Sequence, residues 1–138
     1  MGDSDAVARL AGELGYPSTK AQIERRFRVI DGDLDSHALV AEGAGGAVLG
    51  WIHVIGRHLL ESDGDAEVVG LVVDSRSRGQ GVGKRLMEMA EEWACRKGYT
   101  GACVRSNTIR TETHRFYLHL GYRIQKSQHK FQKSLREP

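Results

Sequence analysis

One stretch, residues 68–93, constrains the fold more than any other because it places a Gly-rich turn between a strand and a helix. Residues 68–73 form a short apolar run that is typical of a buried strand. After the turn, apolar side chains recur at helical spacing and predict one buried helix face, made of Val82, Leu86, Met89, Ala90 and Trp93. The stretch therefore predicts a strand that leads through a tight turn into a helix.

The turn itself has the chemistry of a phosphate site. Gly79, Gly81 and Gly83 stand at alternate positions and let the backbone approach a ligand closely. The start of a helix offers unpaired N–H groups and a partial positive charge, which suit phosphate. Four cationic side chains surround the same spot: Arg76, Arg78, Lys84 and Arg85. A loop with glycines for turning and basic residues for solubility is the alternative, but three converging features favour phosphate.

Both common nucleotide motifs fail in this turn. A dinucleotide fingerprint is excluded because Lys84 and Leu86 stand where its last glycine is required. A P-loop is excluded because Arg78 stands where its first glycine is required. What remains is the pattern Arg-x-x-Gly-x-Gly, formed by Arg78, Gly81 and Gly83.

This pattern resembles the acetyl-CoA pyrophosphate loop of the GCN5-related N-acetyltransferase (GNAT) superfamily. A second segment supports the resemblance: Asn107 is followed by Phe-Tyr-Leu-His-Leu-Gly-Tyr over residues 116–122. The family has Asn followed by Phe-Tyr-x-x-Leu-Gly-aromatic in its later helix-turn segment. The order and spacing of the two motifs also match, and together they span about half of the chain.

The element pattern and the resemblance predict one α+β domain over residues 1–138. The expected fold is a GNAT-like mixed, mostly antiparallel twisted sheet with a central parallel splayed strand pair and helices on both faces. A short helix over about residues 110–120 is expected to end at Gly121, and residues 122–125 and 129–135 predict a last hairpin. The family's first strand is apparently missing, either from the protein or only from a shortened chain. Its absence would leave the strand over residues 37–42 as a bare sheet edge, which favours a homodimer.

Composition excludes several classes of function. The net charge of +2 is too slight to indicate a nucleic-acid partner, and no aromatic residue interleaves the basic cluster. No apolar stretch approaches the length of a membrane span, and the acidic start of the chain is unlike a signal peptide. The spacing of Cys95 and Cys103 is no zinc pattern, so we expect two reduced core thiols and no metal. The expected location is cytoplasmic.

The resemblance implies acetyl-CoA as the cosubstrate and a set of residues that bind it. Leu71, Val72 and Val73 would pair with the pantetheine arm, and the Val73 N–H would bind the thioester oxygen. The pyrophosphate would be held by residues of the turn: Arg78, Gly79, Gln80, Gly81, Val82, Gly83 and Lys84. Asn107 would bind the cofactor arm, although a turn-forming or helix-capping asparagine is the alternative.

Two residues are candidates for proton transfer. Strand alternation puts Glu67 on one face with Val69, Leu71 and Val73, and in some branches of the family a glutamate there is the general base. Burial would make such a carboxylate a better base, whereas pairing with a nearby cation is the structural alternative. Tyr117, by its place in the second motif, would protonate the departing CoA thiolate, although an aromatic that anchors a short helix is also expected there.

The sequence thus predicts an acetyl-CoA-dependent N-acetyltransferase that moves an acetyl group directly to a primary amine of a small molecule or peptide. A catalytically silent acyl-CoA-binding or sensing module is the alternative. An acidic loop at residues 61–65 would suit a cationic amine, although acidic residues in a loop can also serve solubility alone. We therefore leave the acceptor open.

Overall fold

The structure is a computed structural model that describes residues 2–106 and 110–136. Contacts divide the chain into two compact units, Met1–Arg105 and Ser106–Pro138. The first unit contains, in chain order, α1 (Ser4–Glu13), α2 (Lys20–Asp31), β1 (Ser36–Glu42), β2 (Val48–Gly56), β3 (Ala66–Val73), α3 (Val82–Arg96) and β4 (Ala102–Val104). The second unit contains α4 (Thr111–His119).

The four strands form one sheet in the order β1-β2-β3-β4. β2 is antiparallel to both β1 and β3, whereas β3 and β4 are parallel and are joined through α3. The parallel pairing covers only Ala66–Val68 against Ala102–Val104, so beyond Val68 the long strand β3 has no strand beside it on that side in the described chain. The predicted mixed sheet with a splayed parallel pair is confirmed, and the pair stands at one edge of the described sheet.

Helices cover both faces of this sheet, as predicted. On one face α3 packs closely, since His37 of β1 stacks on Trp93 with ring centroids 5.7 Å apart. On the other face Leu10 of α1 packs in a buried cluster with Val48 and Val72. The sheet is therefore the middle layer of the first unit.

The buried face of α3 differs in two positions from the predicted one. Its buried side chains are Leu86, Met87, Ala90, Trp93 and Ala94. Met87 is fully buried, whereas Val82 and Met89 are only partly buried, so the prediction of these two residues was wrong. The apolar stripe is wide enough to include neighbouring positions such as 86 and 87, and its centre lies away from residue 89.

A β-bulge interrupts β3. His53 of β2 lies opposite Gly70, but the next residue, Val54, lies opposite Val68. Val69 is therefore an extra residue in β3 without a partner in β2. Its side chain is 44% exposed, and it lies where the splay from β4 begins.

The bulge separates residues that were predicted to share a face. Residues directly opposite each other in an antiparallel pair point to the same side of the sheet. Leu71 lies opposite Ile52 and Val73 opposite Gly50, whereas Glu67 lies opposite Ile55. Ile52 and Ile55 are three positions apart in β2, so their side chains point to opposite faces. The common face predicted for Glu67, Leu71 and Val73 was wrong because strict alternation assumes a strand without an extra residue.

The predicted last hairpin is absent, since residues 122–136 contain no strand. The apolar side chains of this segment are scattered among polar runs, and both Phe131 and Leu135 are 92% exposed. Two strands with so little apolar surface to bury would be marginal. The prediction was wrong because it relied on short stretches of alternation alone.

The two cysteines differ in exposure. Cys95 is exposed on α3, so its prediction as a core thiol was wrong, while Cys103 in β4 is partly buried and both are free thiols. Position 95 lies outside the apolar stripe of α3, which explains its exposure. No helix within the described residues is long and apolar enough to cross a membrane.

Candidate active site

The turn after β3 is shaped by two glycines with left-handed backbone. Gly79 and Gly81 both have φ of +82°, which L side chains rarely adopt, and Gly81 is the N-cap of α3. The Arg85 N–H donates the first intrahelical hydrogen bond, to the Gly81 carbonyl at 3.0 Å. The N–H groups of residues 82–84 precede that bond and lie at the positive end of the helix. A Cβ added at either glycine meets no atom within 4 Å, so the space beside the turn is open.

The remaining predicted residues of the turn lie around these glycines. Gln80 is exposed between them, and Val82 and Gly83 are the first two residues of α3. Gly83 has helical backbone and does not share the left-handed conformation of the other two. The sequence therefore predicted the position of the turn, and the structure distinguishes two glycines that the backbone requires from one that it does not.

The four basic side chains fall into two classes. Arg76 hydrogen-bonds Asp74, and Arg85 pairs with Glu88 at 3.4 Å. Arg78 and Lys84 are exposed and make no ion pair within the part of the chain that the structure describes. An anion at the turn would therefore find Arg78 and Lys84 as its available cations.

Asp74 organises this turn, although it was not among the site residues predicted from the sequence. Its buried carboxylate accepts hydrogen bonds from the Arg76 N–H at 3.0 Å and from Arg9 Nη1 of α1 at 3.2 Å. Its own N–H donates to the Leu49 carbonyl of β2 at 2.7 Å. The sequence does contain a signal for this role. An Asp directly after a strand often caps the backbone N–H two residues further on. The residue ties the turn to α1 and to β2.

The environment of Asp74 predicts a particular dependence of stability on pH. The Arg76 backbone N–H, followed by the Arg76 side chain, lowers the pKa of this carboxyl from 3.8 to about 2. Above pH 3.8 the carboxylate is charged in both the folded and the unfolded protein, and it stabilises the fold fully. As the pH falls from 3.8 towards 2, the unfolded protein takes up the proton first, so this contribution to the stability of the fold is lost. We expect Asp74→Asn to lower the melting temperature at pH 7, with a difference from wild type that shrinks between pH 4 and 2.

Thermal melts of both proteins between pH 7 and pH 2.5 would measure this effect. The matched control is Asp63→Asn, the same change at an exposed loop carboxylate, which should leave the melting temperature nearly unchanged. A difference between wild type and Asp74→Asn that stays constant over the whole range would contradict the assignment.

Two residues of β3 direct their backbone N–H and C=O groups to the side where β4 has ended. Because Asp74 donates to Leu49 of β2, and because hydrogen-bonded pairs alternate along an antiparallel ladder, Val72 also directs its backbone groups at β2. Leu71 and Val73 therefore direct their N–H and C=O groups away from β2, towards the side where β4 has ended. They can pair with an extended ligand, whereas the side chain of Val72 is buried in the cluster with Leu10.

Trp51 lies on the sheet face opposite α3. A Cβ added at Gly70 would lie 2.7 Å from its ring, so the glycine lets the indole cover β3. The indole Nε1 is buried and has no hydrogen-bond partner among the described residues. A lone aromatic residue in a strand gives no sequence signal for such a role, so Trp51 was not among the predicted site residues.

Glu67 is buried on that same face and is held by basic side chains. Its Oε1 accepts from Arg57 Nη1 at 2.6 Å and from Arg105 Nε at 3.4 Å. The Cys103 thiol approaches the same oxygen at 3.9 Å. Oε2 makes no hydrogen bond to any described residue. Glu67 is therefore buried, as expected for a general base, and it is also paired with nearby cations, as expected for a structural carboxylate.

Cys103 is the thiol nearest to Glu67, and it is a poor nucleophile. Burial, followed by the charge of Glu67, raises the pKa of the Cys103 thiol above its ordinary value of 9.0. The thiol is therefore protonated at neutral pH, and thiolate is the reactive form. An acyl group carried on this cysteine is therefore disfavoured.

Tyr117 belongs to the second unit and lies on α4. Its partly buried ring packs against Phe116 and Tyr122, with centroids 5.2 and 6.1 Å away. The helix ends as predicted at Gly121, where the Tyr122 N–H donates to the Tyr117 carbonyl at 3.0 Å. Burial raises the pKa of the Tyr117 hydroxyl above 10.0, and the charge of Arg110 acts in the opposite direction.

The first unit therefore brings most of the predicted residues into one strand–turn–helix segment. It holds Leu71 and Val73, the Gly-rich turn, and Glu67 earlier on the same strand. Tyr117 lies in the second unit, and Asn107 lies outside the described residues. Within residues 2–106 and 110–136, no group of three His, Cys, Asp or Glu side chains could hold a metal ion.

Residues 34–124 match the family model described as an acetyltransferase (GNAT) domain. Since this match covers well over half of the chain, the protein belongs to the GNAT acetyltransferase family. The family predicted from the two motifs is confirmed, and so is the fold class. GNAT acetyltransferases use acetyl-CoA as the acyl donor.

Three known proteins show the range of this similarity. An aminoalkylphosphonate N-acetyltransferase of Salmonella typhimurium is 36% identical over 91 residues, which are 65% of this chain and 58% of that relative. A protein described as a transcriptional regulator from Bacillus halodurans is 26% identical, with a TM-score of 0.83 over 96% of this chain and 94% of its own. AAC(6')-Iy, solved with the bisubstrate analogue CoA-S-monomethyl-acetylneamine, is 18% identical, with a TM-score of 0.84 over 96% and 92%. At that identity the last likeness shows the fold alone.

Proposed function

We propose that the protein transfers an acetyl group from acetyl-CoA directly to the primary amine of a small molecule. The observation that carries this proposal is the gap beside β3. There the backbone groups of Leu71 and Val73 point to the side where, among the described residues, β4 no longer pairs with β3. The strand then leads straight into a turn whose first helical N–H groups precede the first intrahelical hydrogen bond. An extended pantetheine arm and a pyrophosphate are the two parts of CoA that suit these features in this order.

The residues of the turn would hold the pyrophosphate. The N–H groups of residues 82–84 would donate to its oxygens at the start of α3, and the two left-handed glycines leave room for it. Arg78 and Lys84 would add charge. Leu71 and Val73 would pair with the pantetheine arm, with the Val73 N–H at the thioester oxygen, and Asn107 would bind the same arm by its motif position.

Amine attack requires two proton movements. A lysine-like amine has a pKa of about 10.4, so it must lose a proton before its nitrogen bonds to the acetyl carbon. Oε2 of Glu67 would take that proton, directly or through water, while Arg57 and Arg105 hold Oε1 in place. Tyr117 would give a proton to the sulfur as the carbon–sulfur bond breaks.

The acceptor is proposed from the relative with 36% identity, which acts on aminoalkylphosphonates by its name. A small molecule with a primary amine on an alkyl chain is therefore the first class to test, and a peptide amine is the second. The face that carries Glu67 also carries Trp51, whose buried indole N–H has no partner in the described chain and could donate to an acceptor oxygen. The acidic loop at residues 61–65 would favour a cationic amine instead.

An acceptor screen that follows thiol release from acetyl-CoA tests the proposal. The panel would contain aminoalkylphosphonates, matched aminoalkyl carboxylates, diamines and lysine peptides. Thiol release that depends on one amine class, together with the acetylated product by mass spectrometry, would support it. CoA binding without turnover on any amine would favour the alternative, an acyl-CoA-sensing module. Two observations suit that alternative: guanidinium groups already hold Glu67, and a 26% identical protein is described as a transcriptional regulator.

Glu67→Gln should lower the rate most near neutral pH. At high pH more of the acceptor is already deprotonated, so the variant should recover part of its rate there. Steady-state rates at saturating acetyl-CoA between pH 6.5 and 10 would measure this. Glu42→Gln, at an exposed position, is the matched control and should follow the wild-type profile. An equal loss at every pH, accompanied by a lower melting temperature, would instead assign Glu67 a structural role.

A further inference from the structure

Glu67 is a buried carboxylate with one oxygen that the described chain leaves unpaired. Its side chain is 10% exposed, and its two cationic contacts, with Arg57 and Arg105, converge on Oε1. Oε2 accepts no hydrogen bond from a described residue, yet it is not sealed from solvent. A carboxylate oxygen accepts more than one donor, and buried polar atoms are normally hydrogen-bonded. Oε2 is therefore open to a ligand that carries a hydrogen-bond donor.

Arg57 is the matching donor, because its guanidinium is held in place and only partly used. Its backbone N–H donates to the Asp65 carbonyl at 3.0 Å, which fixes the residue where β2 ends beside the start of β3. Its Nη1 donates to Glu67 Oε1 at 2.6 Å. A guanidinium carries several further N–H donors, and those of Arg57 have no partner among residues 2–106 and 110–136. The side chain is 34% exposed, so a ligand can reach these donors from solvent.

The unpaired groups have opposite charge and belong to two side chains in direct contact. Oε2 of Glu67 suits an ammonium group. The remaining N–H groups of Arg57 suit a carboxylate or a phosphonate, which a guanidinium binds through planar, charge-assisted hydrogen bonds. The Asp65 carboxylate lies beside Gly101 and makes no ion pair with Arg57 in the described chain, so it does not already fill this place. A molecule with both an ammonium and an acid group would satisfy both side chains at once.

We propose that the acetyl acceptor is a short zwitterion, with its amine at Oε2 of Glu67 and its acid group at the guanidinium of Arg57. This inference rests on the proposed acetyl transfer and adds Arg57 as the residue that determines acceptor specificity. Because the two side chains touch, ordinary hydrogen-bond lengths leave room for a spacer of about one to three carbon atoms between amine and acid. A diamine would place its second ammonium against the guanidinium, where like charges repel.

Arg57→Met tests this inference with matched acceptors: aminoethylphosphonate, β-alanine, propylamine, which has no acid group, and diaminopropane. We expect wild type to acetylate at least one of the two acids with a kcat/KM at least about tenfold above that for propylamine, since a hydrogen bond to a charged group is worth that much. Diaminopropane should be no better than propylamine. Arg57→Met should lose the preference, mainly through a higher KM for the acid. The two acids distinguish a phosphonate from a carboxylate as the group bound.

The ratio between acceptors separates recognition of the acid from damage to Glu67. Arg57→Met also removes a partner of Oε1, and an effect on proton transfer should slow the acids and propylamine alike. Arg25→Met, the same change at an exposed position of α2, is the matched control and should keep the wild-type preference. An equal loss on both kinds of acceptor, or a wild type that does not prefer an acid to propylamine, would overturn the proposal.

Calorimetric titration of the two acids into the protein with CoA present gives a measurement that does not depend on turnover. Binding that Arg57→Met weakens at least about tenfold would support the zwitterion site even if no amine were acetylated, and the proposed transfer alone would then fail. Aminohexanoate, which has a longer spacer, should bind more weakly than β-alanine. Absence of binding by either acid would overturn this inference, whether or not other amines are acetylated.

Discussion

Replacement of Gly81 by valine is expected to weaken CoA binding by about 100-fold or more. Two effects add up at this position. A β-branched residue is strained at φ of +82°, so the turn would rearrange, and its side chain would fill the open space beside the turn. Loss of even two backbone hydrogen bonds to a charged phosphate is worth about 3–6 kcal/mol, which corresponds to that factor. Isothermal titration with CoA would measure it.

The opposite end of the same helix offers a matched control. Gly98 follows α3, has φ of +91°, and an added Cβ there also meets nothing within 4 Å. Gly98→Val should therefore cost a similar amount of stability and leave CoA affinity unchanged. Equal affinity of Gly81→Val and wild type would refute the phosphate site, and equal losses in both variants would attribute the effect to the helix as a whole.

Removal of the Tyr117 hydroxyl is expected to slow the chemical step by about 10²–10⁴, the usual effect of losing a general acid. Tyr117→Phe keeps the ring that packs against Phe116 and Tyr122, so CoA affinity and melting temperature should change little. Tyr122→Phe removes a hydroxyl from the neighbouring ring and is the control. Single-turnover rates of acetyl transfer would separate chemistry from product release.

The pH dependence gives the same hypothesis a second measurement. Burial raises the pKa of Tyr117 above its ordinary 10.0, so the hydroxyl stays protonated through neutral pH, and its loss as an acid should appear only above pH 10. The raised pKa also makes proton transfer to a thiolate more uphill than the difference of about 1.5 units between ordinary tyrosine and cysteine. A rate of Tyr117→Phe within a few-fold of wild type, with chemistry rate-limiting, would leave the proton to water or to the amine itself.

Local sequence predicted the parts of this fold that local physics determines. The glycines at 79 and 81 predicted a turn that requires left-handed backbone, and Gly121 predicted the end of α4. The paired motifs predicted the family. Patterns of alternation were less reliable, because the exposed segment after residue 122 alternates briefly without enough apolar surface to form a hairpin.

The surroundings of the candidate site could not be predicted, because they depend on contacts between distant residues. Glu67 was identified as a strand carboxylate, but its partners Arg57 and Arg105 stand 10 and 38 positions away. Asp74 meets Arg9 across 65 positions. A single sequence contains no signal for such pairs, since each residue type is ordinary at its own position.

The bulge at Val69 has a consequence for how this segment can change in evolution. Before it, even-numbered residues face β4, as the hydrogen bond from Ala66 to the Gly101 carbonyl shows; after it, the odd-numbered Leu71 and Val73 face that side. The presence of the extra residue determines which residues of β3 direct their backbone groups towards β4. The chemical nature of its exposed side chain has no part in this. Substitutions at position 69 should therefore be tolerated among close homologues, whereas deletion of one residue between Glu67 and Asp74 would exchange inner and outer faces and turn the ligand-facing amides back into the sheet. We therefore expect the length of this segment to vary less among homologues than the residue at the bulge.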